Sequence, residues 1–173
     1  MGTQLTPSRL GKHQDPPVVR EQDIRPPAWL EDETAVLVRA IVASVARQHP
    51  ELVAAILFGS VARHDERPLT DDEPSDVDLL LLFDLGLDTE RISLDKTLAI
   101  CESIGQATDR HREAPREVQT VLTVRDMRGW DPLFVEHVAS EGLVLWARGS
   151  LPGRLASLAD RSRRDPDGAA TSE

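Results

Sequence analysis

The sequence predicts an α/β (α+β) domain with a small central sheet of about four strands and helices packed against it. Short, nearly all-apolar runs bounded by turn residues alternate with longer stretches whose apolar residues recur at helical spacing. At 173 residues and 40% hydrophobic content, the chain is long and apolar enough for one domain with a real core.

Taken in order, Glu31 to Gln48 reads as a helix. Val38, Ile41, Val42 and Val45 share one face, acids crowd the start, and His49-Pro50 closes it. Leu52 to Phe58 is a short apolar run ended by Gly59, read as a buried strand. Val61 to His64 opens a brief helix that Pro68 cuts off. Val77 to Phe83 is apolar almost throughout, as expected of a central strand covered on both faces. Thr89 to Arg110 reads as a second long helix, with a broad apolar side drawn from Ile92, Leu94, Leu98, Cys101, Ile104 and Ala107. Glu117 to Val124 alternates loosely and is rich in valine and threonine, hence a strand. Leu133 to Ser140 is a short helix with Phe134, Val135 and Val138 inward, and Leu143 to Trp146 a last short strand.

The flanks differ in composition. Residues 1–29 carry Pro7, Pro16-Pro17 and Pro26-Pro27 among polar residues, as expected of a flexible arm. Residues 149–173 are similar, with a short helix expected over Leu151–Asp160, so the globular body spans 30–148. Cys101, the only cysteine, falls in an apolar pattern and is expected in the core; with no intramolecular disulfide available, a reducing, cytoplasmic setting is expected. No run approaches the ~18–20 apolar residues of a membrane span. A net charge of −10 and 3% aromatic content disfavour nucleic acid as a partner, because phosphate contacts need basic surface and bases need stacking platforms. They do not disfavour a nucleotide, whose charge a bound metal can meet.

The chemistry concentrates between Ala55 and Asp84. An apolar run ends in Gly59-Ser60, a polar loop follows, and Asp76-Val77-Asp78 opens the second apolar run. Side chains in a strand repeat every second residue, so Asp76 and Asp78 share a face. Two carboxylates on one face hold divalent cations, magnesium above all, that bridge phosphate oxygens. Glycine lets backbone approach a phosphate closely, and a serine hydroxyl donates to it. Each residue also has a plainer reading. The Asp pair extends an acidic loop of Asp71, Asp72 and Glu73, Gly59-Ser60 ends a strand, and Arg63 is placed to pair with Asp65 or Glu66. The histidines are scattered without metal-ligand spacing, and no serine sits in a nucleophile elbow.

In order and context, Phe58-Gly59-Ser60, Ala62-Arg63 and Ser75-Asp76-Val77-Asp78-Leu79 resemble the signature of the polymerase-beta-like nucleotidyltransferases in their minimal stand-alone form. The resemblance covers residues 50–147 and implies that family's mixed sheet. It implies transfer of a nucleoside monophosphate, AMP from ATP first, to a hydroxyl on a small molecule such as an aminoglycoside or on a partner protein such as a helical toxin. It implies magnesium held by Asp76, Asp78 and a third carboxylate, for which Glu117 is the candidate ligand or base, and nucleotide phosphates held by Gly59, Ser60 and Arg63. Glu117 reads equally as an exposed strand-start residue, and Gln119 shares its face. A second reading is a non-catalytic, antitoxin-like binding protein that keeps the fold. The chain departs from the family pattern twice. Fifteen residues, Val61 to Ser75, separate Gly-Ser from the first Asp where about ten are usual, a lengthening that costs little. His64 also stands where glycine is usual.

Overall fold

A computed structural model describes residues 19–86 and 89–158. Four strands form one mixed sheet in the order β3-β2-β1-β4. They are β1 (Leu52–Phe58), β2 (Val77–Phe83), β3 (Val118–Val124) and β4 (Leu143–Ala147). β1 pairs antiparallel with both β2 and β4, while β2 and β3 run parallel in unbroken register from Val77↔Val118 to Phe83↔Val124. The helices are α1 (Asp32–Gln48), α2 (Gly59–Arg63), α3 (Leu94–Arg110) and α4 (Pro132–Glu141). The expected fold class and element order are those observed.

Strand alternation splits the core into two layers. Val77, Leu79, Leu81 and Phe83 of β2 face α1 and α3, whereas Leu80 and Leu82 face Val138 of α4 and the leucines Leu151, Leu155 and Leu158. Both faces of β2 are therefore covered over most of its length, which is why its sequence is nearly all apolar.

α3 starts at Leu94 rather than Thr89, because the Ser93 hydroxyl accepts from the Lys96 amide and caps the helix there. Its inward line also differs from the expected one. Ile100, Ser103 and Ala107 are buried, while Leu94, Leu98 and Cys101 are exposed. The expectation that Cys101 lies in the core is thus corrected. The reason is polar: Ser103 turns inward, its hydroxyl 2.9 Å from His49 Nε2 and its carbonyl accepting from Ser44 Oγ, and this contact fixes the helix rotation. A buried hydroxyl so satisfied is as good an anchor as a methyl group.

The arm expected to be flexible over 1–29 is packed in its described part. Val19 and Ile24 are buried with α1, and the Arg25 amide donates to Leu145 O at 2.9 Å, laying this segment along the outer edge of β4. At the other end, Leu151, Leu155 and Leu158 anchor the first part of the expected tail, with a 3-10 turn over Gly153–Leu155. The remainder of both expected flanks, residues 1–18 and 159–173, lies outside the described residues.

Candidate active site

β1 runs into α2 at Gly59, whose φ of +77° belongs to the left-handed region that glycine adopts without cost. Phe58, just before it, lies opposite Asp78 of β2. Gly59 is therefore pressed against the Asp78 side chain, and a Cβ there would overlap the carboxylate. The motif's two halves meet through this contact, although they stand far apart in sequence.

Asp78 lies on the same face as Leu80 and Leu82, at the end of the strand that the α4 layer leaves uncovered; it is half-buried, as is Asp76. Burial raises the Asp78 pKa, and the charge of Asp76 raises it further. A carboxylate whose ionisation is opposed by burial and by a neighbouring charge is stabilised by a bound cation. Gly59 adds a cradle too close-fitting for any Cβ. Oxygen donors at one end and bare backbone beside them suit a magnesium–phosphate group, so the residues fit the ion the motif implies.

Asp76 is held from three directions. The Ser75 carbonyl before it accepts from Arg116 at 2.8 Å, and the Val77 amide after it donates to Glu117 O at 2.8 Å. Its own Oδ2 accepts from Gln119 Nε2 at 2.6 Å. Gln119 is directly opposite Asp78 in the parallel ladder, so it occupies the place on the neighbouring strand nearest the Asp pair. Glu117 is exposed and stands just before β3, two residues ahead of Gln119. Among the described residues no group of three His, Cys, Asp or Glu side chains is placed to hold a metal. The structure thus brings Asp76, Asp78, Gly59 and Gln119 together and does not bring Glu117 to them as a third ligand.

Arg63 takes the plainer of its two readings. Its guanidinium bonds Asp65 at 3.0 Å and Glu141 at 2.9 Å, tying α2 to the end of α4 rather than standing free for a phosphate. Ser60 is half-buried beside Gly59, and its carbonyl accepts from Asp65 N. His64 has φ +58°, which explains why glycine suits this position. The His64 ring stacks on Trp29 at 5.0 Å, while Trp29 Nε1 donates to Val61 O.

Two features escaped the sequence reading. Arg116 is buried and donates to both Glu31 carboxylate oxygens and to the carbonyls of Arg67 and Ser75. With Ser75 Oγ accepting from Arg67 N, it pinches the long loop shut at Arg67 and Ser75, just before Asp76. An arginine beside a strand gives no local signal of this, since its partners are distant in sequence. The second is an aromatic row on the site face. Phe58 meets Phe134 edge-on at 5.6 Å, and Phe134 stacks on Trp130 at 5.0 Å. The row starts at Phe58, opposite Asp78, and leads away to Trp130, whose Nε1 donates to Thr123 Oγ1.

The family model "Polymerase beta, Nucleotidyltransferase" matches residues 41–150, more than half of the chain. Among solved structures, a toxin-antitoxin with AMP-PNP is similar at 16% identity and a TM-score of 0.44, covering 79% of this chain and 89% of that one. A toxin-antitoxin MntA-HpeT mutant is similar at 15% identity, with the same score and coverage. No curated protein matches the chain.

Proposed function

The chain belongs to the polymerase-beta nucleotidyltransferase family, and from that premise we propose that it is a metal-dependent nucleotidyltransferase that moves AMP from ATP to an acceptor hydroxyl and releases pyrophosphate. The observation that carries this reading is the contact between the two halves of the motif: Gly59 in a left-handed turn against Asp78, with Asp76 on the same face. Asp76 and Asp78 hold magnesium. When bound, that ion supplies charge neutralisation on the phosphates and lowers the barrier to attack by the hydroxyl. Gly59 leaves room for the phosphate chain, and the Ser60 hydroxyl donates to it. Gln119 orients Asp76 through its amide and keeps that carboxylate turned into the site. Arg63 supports the turn from behind through Glu141. The acceptor is a small molecule or a partner protein such as a helical toxin, and the reaction takes place in the cytoplasm, where the lone thiol stays reduced. Among the described residues no helix is long and apolar enough to cross a membrane.

One observation favours a second reading. Gln119 on the neighbouring strand donates to Asp76, and an amide cannot take a proton as a third carboxylate could. A chain of this family without that base fits an antitoxin-like protein that binds nucleotide and partner without turnover. The test is incubation with alpha-labelled ATP, CTP, GTP or UTP, magnesium and cell extract, alongside Asp78→Asn. Label that appears with wild type and not with the variant supports transfer. No label under any condition, with magnesium-dependent ATP binding retained, establishes the second reading; loss of both overturns the site assignment.

A further inference from the structure

The two ends of the sheet are treated differently. The outer edge of β4 receives the Arg25 amide from the chain's own N-terminal segment. The outer edge of β3 receives no backbone hydrogen bond from any described residue. The Val77 amide donates to Glu117 O and the Arg125 amide to Phe83 O, so odd-numbered residues of this stretch turn their backbone toward β2. Val118, Thr120 and Leu122 therefore turn their N–H and C=O groups outward. Natural edges are blunted by charge, proline or a bulge. Val118–Val124, VQTVLTV, has no charge and no proline, and its register with β2 is unbroken; both irregularities of the sheet fall in the pairings of β1.

A groove of about 660 Å³ runs along this edge, lined by Thr120 and Leu122, by Thr97 and Cys101 of α3, and by Trp130. Beside it α3 presents Leu94, 72% exposed, Leu98, 60% exposed, and Cys101. Spaced i, i+4 and i+7, they form one apolar face continuous with the open edge. An open strand edge with an apolar helix face beside it takes another strand.

We propose that this edge pairs with β3 of a second copy of the chain, antiparallel, about a two-fold axis at Val121. Charge selects the occupant and the register. An axis at Val121 sets Thr120 opposite Leu122 of the other copy, so that the outward backbone groups meet and each pair exchanges both hydrogen bonds. It also sets the exposed Glu117 opposite Arg125 of the other copy, once on each side, adding a second carboxylate to a half-exposed guanidinium that already bonds Asp84 at 3.1 Å and Ser150 O at 3.2 Å. Axes at Thr120 or Leu122 satisfy the backbone equally but set Glu117 opposite Thr123 or Met127. Because the residues flanking the strand, Glu117 before it and Arg125 after it, carry opposite charges, a second copy complements the edge without any other protein. The apolar face of α3 is then covered by its own counterpart, and the two Cys101 thiols come near the axis, since Cys101 lines the groove beside the centre of the strand.

The test is sedimentation of the full chain over a concentration series, with crosslinking by a short bismaleimide. Wild type is expected at twice 19.1 kDa and to crosslink through Cys101. Thr120→Pro removes an outward N–H and spares the bonds to β2, and Leu98→Glu charges an exposed helix position. Each is expected to raise the dimer dissociation constant about tenfold or more, with the circular dichroism of the monomer unchanged. Glu117→Arg is expected to weaken the dimer and to strengthen again when ionic strength screens the repulsion it creates. A monomeric wild type overturns the proposal. A dimer that keeps its affinity in Leu98→Glu overturns it too, as does one that never crosslinks at Cys101.

Discussion

Replacing Gly59 by alanine tests the contact on which the site depends, and its cost divides into two separable parts. The backbone part follows from φ +77°, where an L-residue is worse than glycine by about 1–2 kcal/mol. The steric part follows from the added methyl group, which overlaps the Asp78 carboxylate; overpacking of this kind costs about 1–3 kcal/mol. Gly59→Ala alone is therefore expected to lower unfolding free energy by about 2–5 kcal/mol. In an Asp78→Ala background the carboxylate is gone and the new methyl keeps the contact to the Cβ of residue 78, 3.5 Å away, an ordinary distance. The same substitution there should cost only the backbone part. Urea unfolding of the four proteins of this cycle, followed by tryptophan fluorescence, measures the difference. A coupling of about 1–3 kcal/mol is expected. Additivity within about 0.3–0.5 kcal/mol would refute the reasoning, because it would mean that Gly59 and Asp78 do not press on each other.

Arg116→Met leaves Glu31 and two carbonyls without their donor and should destabilise by about 3–5 kcal/mol in urea, with part of the loss restored by Glu31→Leu in the same chain. Asp78→Asn should raise the melting temperature of the metal-free protein at pH 7. The native pKa of Asp78 is raised, so its carboxylate penalises the fold as pH rises through that value, and the gain should vanish below the ordinary 3.8. Magnesium should raise the melting temperature of wild type and not of this variant; equal responses would remove Asp78 from the metal site. His49 is buried, and its pKa is lowered chiefly by burial and then by Lys96, so the unfolded chain binds the proton more readily. Stability should fall as pH drops below 6.5 and level off below the native value, at a slope of at most about 1.4 kcal/mol per pH unit. His49→Gln should flatten that slope in urea titrations at successive pH values.

The fold was readable because its signals are local. The apolar run Val77–Phe83 announces a strand buried on both faces, and the turn at Gly59 marks where β1 stops. The Asp pair was readable because period-two alternation needs no tertiary knowledge. What stayed hidden depends on contacts between distant segments. Leu94, Leu98 and Cys101 look like core by composition, yet Ser103 outcompetes them because His49 and Ser44 supply its partners from α1 and its C-terminal cap. The choice between Glu117 and Gln119 is a matter of strand register, a shift of two residues against β2, and period-two alternation puts both on one face. Residues 19–29 look like linker, although two buried side chains and one amide suffice to dock them.

The pinch at Arg67 and Ser75 bears on how such proteins change over time. Because the ends of the excursion are fastened to each other and to Arg116, residues 68–74 hang from a fixed neck. Lengthening or trimming them alters an outward appendage and leaves the neck, and with it Asp76, where it stands. Distance counted along the chain between Gly-Ser and the Asp pair is then no guide to distance in space. The appendage is free to vary in length without moving the Asp pair, and a search that insists on a set gap between the two halves of the signature will pass over chains such as this one.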